Sequence, residues 1–255
     1  MIEFFMKTKK GQILLITIMA LATILTVVFA VSFQSQNDTR LTKAEEEAQK
    51  ALAAAESAAE NAIKTGNTVT IGEGLLSMFD NMTGIATVET VVTNTFTTPL
   101  ISRDAAYTFY LADYNIATNT FGVSSSEPVT LCFDDALPKP ALELTLVKTS
   151  GLKKYVVDPN SAINNASPSA GACGVNSSFE YSYVIPGADI GVDAKLLYAR
   201  VLYSPTRLIL SRASNLPIQG KTSRSEVTTN IGVSKKVILF QSYPQIPAEF
   251  FATTY

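Results

Sequence analysis

The N-terminal part of the chain passes from an unbroken apolar run to a regular pattern of alanine and charged residues. No charge lies between Lys10 and Asp38, and the apolar run at 13–33 holds about 21 residues, enough to cross ~30 Å of hydrocarbon as a helix. From Asp38 to Lys64 small apolar residues recur at alternating three- and four-residue spacing. The pattern predicts a membrane-spanning helix that continues as a stalk.

The stalk segment has a seam of alanines, and the glutamates and lysines face mainly elsewhere. Small side chains let a helix approach a neighbouring helix or a flat sheet closely, so the seam predicts a packing surface. A solvated linker helix is the alternative. Asp38 or Thr39 could cap a separate helix start, with a kink near residues 34–39. The predicted packing residues are Ala44, Ala48, Ala51, Ala55, Ala58 and Ala62.

Lysines precede the apolar run, at Lys7, Lys9 and Lys10. The positive-inside rule therefore places residues 1–10 in the cytoplasm and the chain from about residue 34 onward outside the membrane. The alternative is a cleaved secretory signal peptide, for which Ala30-Val31-Ser32 offers a small-x-small cleavage site.

Beyond Thr65-Gly66-Asn67, which should end the helix, Val, Ile, Thr, Tyr and Phe dominate. The fold class expected is α+β, a long helix followed by a mainly antiparallel β-rich head. Hairpins are expected at 203–206 and 232–234, a short helix at 72–82, a surface loop at 158–178 and an extended segment at 243–247. The predicted strands are 86–96, 107–112, 129–133, 141–148, 179–185, 195–203, 207–213, 225–231 and 235–241.

Composition narrows the chemistry of the head. The 255-residue chain has a net charge of −2 and contains no His and no Trp. The lack of His excludes Ser-His-Asp and Cys-His catalysis and His-ligated zinc. The charge gives no reason to expect nucleic acid as a partner. We therefore expect a protein that is not an enzyme and has no cofactor or metal.

Two cysteines, Cys132 and Cys173, lie in the part expected outside the membrane. An oxidising compartment favours a disulfide between them. Two buried free thiols are the alternative.

Several other polar or aromatic groups have a functional and a simpler interpretation. Asp134-Asp135, or Asp189 with Asp193, could contribute to a calcium site, but solvated turn carboxylates are favoured. Gly72-Glu73-Gly74 is expected to be a plain turn, and the basic pairs Lys153-Lys154 and Lys235-Lys236 are expected to be solvated. The apolar C-terminal residues are expected to dock on the head rather than bind a partner; they are Phe250, Phe251 and Tyr255.

Lys9-Lys10-Gly11-Gln12, the apolar helix and the stretch from Ala53 to Glu60 together resemble the N-terminus of type IV pilin-like proteins, most closely minor pilins of the PilX type. The resemblance covers roughly residues 7–64. It implies cleavage by a prepilin peptidase between Gly11 and Gln12, methylation of Gln12 and entry of the long helix into a filament core. It also implies other pilin-like subunits, pilus assembly proteins and membrane lipid as partners.

One position departs from the pattern of major pilins. They carry glutamate at the fifth mature position, where this chain has Ile16. In the family that glutamate is thought to pair with the N-terminal ammonium of a neighbouring subunit. The departure favours a minor or tip subunit.

The expected organisation is a leader (1–11), a transmembrane helix (12–36), a stalk helix (37–64) and a head (65–255). The expected function is a minor pilin-like subunit of a type IV pilus or related secretion filament. It would be anchored once in the inner or cytoplasmic membrane, with its head exposed for assembly or adhesion. The alternative is a single-pass adhesion or ligand-binding protein that does not assemble.

Overall fold

The computed structural model describes residues 7–90, 92–134, 138–160, 163, 166–167, 171–176 and 178–250, with residues 7–12 described by their backbone only. One long helix is followed by a region of mostly antiparallel strands, so the chain has an α+β fold. This agrees with the fold class expected from the sequence.

Helix α1 runs from Lys7 to Thr65. It continues through Asp38 and Thr39, so the separate helix start that these residues could have capped is not present. The Thr39 hydroxyl instead donates to the Ser35 carbonyl oxygen at 2.8 Å, a bond within the helix. Gly66, with φ of 72°, ends the helix, and its N–H donates to the Ala62 carbonyl at 2.8 Å.

Short helices and strands make up the rest of the described chain. The short helices are a 3-10 helix at Gly74–Phe79, α2 at Gly187–Ile190 and a 3-10 helix at Ala248–Phe250. The strands are β1 (Val69–Thr70), β2 (Met82–Glu89), β3 (Thr95–Thr97), β4 (Ala106–Tyr110), β5 (Tyr114–Asn115), β6 (Thr120–Phe121), β7 (Val129–Phe133), β8 (Ala141–Lys148), β9 (Gly151–Val157), β10 (Tyr181–Ile185), β11 (Ala194–Leu202), β12 (Leu208–Ser211), β13 (Gly220–Thr229) and β14 (Ser234–Ser242).

The chain divides into two compact units. The first unit comprises residues 7–87 and 224–237 and contains α1. Strand β1 pairs antiparallel with β2, with Val69 opposite Ala86, in a sheet of order β1-β2-β13-β14. Within this unit α1 contacts β1 and the first 3-10 helix.

The second unit comprises the described residues of 88–223 and 238–250. It contains two four-stranded sheets, of order β10-β7-β12-β3 and β4-β11-β8-β9. One apolar cluster joins alternate residues of both, such as Leu144 of β8 and Leu131 of β7, so the two sheets pack as a sandwich. The small hairpin β5–β6 is a separate two-stranded sheet.

Two sequence expectations about the elements that follow α1 are wrong. The 203–206 segment is not a hairpin, because it leads from β11 in one sheet of the sandwich to β12 in the other. The predicted strand 86–96 is divided into β2 and β3. The short helix expected within 72–82 is present as the 3-10 helix at Gly74–Phe79. Strand β9 was missed, since it is an exposed edge strand with two lysines and no apolar alternation.

Candidate membrane anchor and assembly surface

The apolar run of α1 has no covering structure within the described chain. All side chains of residues 13–33 are exposed, and the segment is long and apolar enough to cross a membrane. Its threonines donate back into the helix: Thr17 to the Leu14 carbonyl, Thr23 to Ala20 and Thr26 to Ala22, each at 2.8 Å. These bonds leave few unsatisfied polar groups on the surface of the run.

Beyond the apolar run the surface of α1 becomes charged. The Lys50 ammonium lies 2.7 Å from the Glu46 carboxylate and 3.3 Å from that of Glu47. The hydrogen bond from Lys50, together with its charge, holds the pKa of Glu46 below its ordinary value. Both side chains are solvent-exposed, so the pair adds little to stability.

Alanines on the last turns of α1 are fully buried, whereas those nearer the apolar run are only partly buried. Ala51, Ala55, Ala58 and Ala62 have 0% of their surface exposed, and Ala44 and Ala48 are only half-buried. The neighbouring Glu56 and Glu60 are exposed. The buried residues that the heptad spacing did not indicate are Ala54, Ala59 and Ile63.

The buried stripe is wider than the predicted seam because α1 packs on more than one line of residues. An a/d seam describes the narrow contact of a coiled coil, but a helix packed on a broad surface buries a stripe of about 100° or more. Adjacent alanines such as 54–55 and 58–59 are therefore both covered. The signal in the sequence was the density of alanine rather than its spacing.

Gly11 and Gln12 lie within the backbone of α1, and their side chains are outside the described residues. Ile16 has an exposed side chain one turn further on. Its neighbours on the helix surface at Ile13, Met19 and Ala20 are apolar. No Asp or Glu occurs between Gln12 and Gln36, so this surface carries no acidic group.

Cys132 and Cys173 form a disulfide, with Cα atoms 5.7 Å apart. Cys132 is on β7, and the bond is buried against Phe179 and Ile209. It ties a segment rich in Asn, Ser, Ala and Gly to the sandwich. Closing a loop of sequence separation 41 contributes about 4 kcal/mol in the chain-entropy model.

The aspartates considered for calcium binding are engaged by protein groups. Lys153 and Tyr155 donate hydrogen bonds to the Asp189 carboxylate, and they hold its pKa below the ordinary value. A hydrogen bond from Ser150 at 2.5 Å, followed by the nearby Lys148, does the same for Asp193. Among the described residues no group of three candidate ligands surrounds a metal position.

Asp134 follows β7, where its backbone N–H donates to the Thr206 hydroxyl at 3.0 Å. Asp135 lies outside the described residues. Gly72 is in the turn before the first 3-10 helix, where its N–H donates to the Leu76 carbonyl.

The basic pairs differ in their surroundings. Lys153 and Lys154 project from β9, and they form ion pairs with Asp189 and Glu143. Lys235 and Lys236 lie on β14, where Lys236 is exposed. The acidic partners of the first pair argue against a nucleic-acid surface there.

The C-terminal segment docks on the sandwich before its final aromatic residues. Tyr110 donates to the Pro244 carbonyl and Tyr198 to the Ala248 carbonyl, each at 2.8 Å. Phe250 is 75% exposed, so the docking expected of it through burial is not seen. Phe251 and Tyr255 lie outside the described residues.

Comparison with protein-family models, with curated proteins and with solved structures found no match to this chain.

Proposed function

We propose that this protein is a membrane-anchored minor pilin-like subunit of a type IV pilus or related secretion filament. The observation that carries the proposal is helix α1, whose exposed apolar run is followed, without a break, by a buried alanine stripe. At 1.5 Å per residue the helix is about 90 Å long, and a bilayer core accounts for only ~30 Å of it. A plain anchor does not need the remaining length.

The buried stripe and the exposed run divide the helix into two parts with different roles. The stripe is covered by the protein's own fold, which gives the helix a fixed attachment to a folded domain. The apolar run is covered by lipid before assembly and by neighbouring helices in a filament. Because the run has no acidic residue, the same surface suits both surroundings.

Processing at the membrane is the first consequence of the proposal. Cleavage between Gly11 and Gln12 would give a mature chain beginning at Gln12, with methylation of its amino group. The experiment is mass spectrometry of the membrane-extracted protein from cells that contain a prepilin peptidase. Gly11→Val should leave the leader attached, because Gly11 is the only glycine before Gly66 and no second glycine near the span offers another cleavage site.

Two results would contradict the proposal. An N-terminus at Phe33 or later would show a cleaved secretory signal peptide. A leader still attached to the wild-type chain in the presence of an active peptidase would remove the processing step on which assembly depends.

A second candidate is a single-pass adhesion or ligand-binding protein that does not assemble. Ile16, in place of the glutamate of major pilins, is the observation that favours it. The two candidates differ in location: a filament subunit appears in sheared surface fibres, whereas a plain anchored protein stays in the membrane fraction.

A further inference from the structure

An open groove of about 590 Å³ lies on the second unit beside the hairpin β5–β6. Its walls include Asp113, Tyr114, Phe121, Lys221 and Tyr243. The volume is within the range of small-molecule sites. The groove has no part in the anchor or in the alanine stripe.

One wall of the groove is aromatic, and a buried ring packs against it on the side away from the groove. The Tyr114 ring lies 4.8 Å from Phe121 and 5.9 Å from Tyr243, measured between ring centroids. Tyr110, which is buried, lies 5.3 Å from Tyr114 and 5.1 Å from Tyr243. The Tyr110 hydroxyl is fixed by its hydrogen bond to Pro244, so the wall is built on an anchored ring.

Tyr110 and Tyr243 remain neutral at physiological pH, because their pKa values are raised above the ordinary value. Burial, with smaller contributions from Tyr114 and Tyr243, raises the pKa of Tyr110 to about 12. Burial and the charge of Asp113 also raise the pKa of Tyr243. These two tyrosines therefore carry neutral hydroxyls.

The polar groups of the groove have unused bonding capacity. Neither the Asp113 carboxylate nor the Lys221 ammonium forms a hydrogen bond or ion pair with any residue that the structure describes. The Asn115 side-chain oxygen accepts from the Ala117 N–H at 2.9 Å, which leaves its two amide N–H donors for another partner. By contrast, Asp189 and Asp193 on the same unit are both engaged by lysines.

We propose that this groove binds a neutral saccharide. A sugar ring presents an apolar C–H face, which can stack on Tyr114, and hydroxyls that donate to Asp113 and accept from Lys221 and Asn115. The walls carry one carboxylate and one ammonium, Asp113 and Lys221, so their charges cancel and favour neither a net anionic nor a net cationic ligand. A wholly apolar ligand would desolvate both charges without giving them a partner.

The test uses the full chain in lipid nanodiscs prepared without sugar-headed detergent. Four probes are titrated at about 10 mM: cellobiose, maltose, lactose and N,N′-diacetylchitobiose. Saturation-transfer NMR reports contact with the ring protons of the sugar. Because the chain has no Trp, its intrinsic fluorescence comes from tyrosine and gives a second readout.

At least one saccharide should bind, with the strongest saturation transfer on one face of its ring. Tyr114→Ala should weaken that binding at least about tenfold, and the isosteric Asp113→Asn should also weaken it. Phe250→Ala, which removes an exposed aromatic ring outside the groove, should leave it unchanged.

Absence of binding by all four saccharides overturns the proposal. Equal binding by wild type and Asp113→Asn also overturns it, and this variant keeps the test decisive if Tyr114→Ala does not fold. Failure here is distinct from failure of the proposed function, because the experiment requires neither cleavage of the leader nor other pilin-like subunits.

Discussion

Gly84 lies where β2 passes so close to β13 that no side chain fits. A Cβ added there would come within 2.2 Å of the Glu226 carbonyl oxygen and 2.9 Å of the Val227 Cα, both backbone atoms. We expect Gly84→Ala to lower the free energy of unfolding by at least about 1–3 kcal/mol, because the strands must separate. Thermal unfolding of the full chain measures this.

Gly174→Ala is the matched control, since an added Cβ there meets no atom within 4 Å. It should change stability little. Equal effects of the two substitutions would show that the close approach of β2 to β13 is not maintained in solution.

The stability of the second unit at acidic pH depends in part on the Asp189 carboxylate and on the two groups that donate hydrogen bonds to it. Its pKa is lowered from an ordinary value of 3.8 by hydrogen bonds from Lys153 and Tyr155. A carboxyl whose pKa is lower in the folded state stabilises the fold above its unfolded pKa. That contribution is lost as the pH falls through the folded value. The contribution of Asp189 to stability is therefore lost at pH values below 3.8.

Asp189→Asn should remove part of the loss of thermal stability on acidification from about pH 7 to about pH 2. Asp80→Asn is the control, because Asp80 is exposed and forms no ion pair with the described residues. If both variants lose stability with acid as steeply as the wild type, Asp189 is not coupled to folding.

At the scale of elements, two substitutions in helix α1 test whether its alanine stripe is a packing surface. Ala55 is fully buried and Ala53, two residues earlier, is exposed. We expect Ala55→Leu to lower the free energy of unfolding by about 1–3 kcal/mol through overpacking. Ala53→Leu adds the same side chain at an exposed position and should be nearly neutral. Equal stabilities, measured by thermal unfolding, would indicate a free solvated helix.

The elements that were predicted well are those whose pattern of apolar and polar residues is explained by neighbouring positions in the sequence alone. The apolar run and the alanine-rich segment specify α1 because each carries helical periodicity or length without competing turn residues. Strands β7 and β8 were predicted within their observed bounds, since their apolar residues belong to one buried core.

Other elements depend on partners that lie far away in sequence. Strand β13 begins at Gly220, five residues before the predicted strand, because the buried positions of the missed part are Gly220 and Ser223 rather than apolar residues. The groove escaped prediction because Tyr114 and Tyr243 meet only after folding. Neither residue has a distinctive sequence context.

At the scale of the whole molecule, the proposed function predicts sparse incorporation into a filament of other subunits. A mature N-terminal ammonium in hydrocarbon requires an acidic partner, and an unpaired charge there costs several kcal/mol. Ile16 offers no carboxylate, and no Asp or Glu lies between Gln12 and Gln36. A stack of identical copies would repeat that cost in every subunit.

The measurement is electron microscopy of cells that express this chain with the assembly machinery but without other pilins. We expect no long filaments. Ile16→Glu restores the acidic position, whereas Ile18→Glu places the same charge elsewhere on the exposed apolar surface and serves as its control. Long homopolymers of the wild-type chain would refute the electrostatic argument.

The disulfide also determines how far the chain extends under a pulling force. When the two ends of the protein are drawn apart, the residues between Cys132 and Cys173 stay outside the path that bears the load. At ~3.4 Å per extended residue, the closed loop withholds about 140 Å of length. An oxidised molecule that unfolds under tension therefore extends less far than a reduced one. The redox state of its surroundings thus determines its extended length.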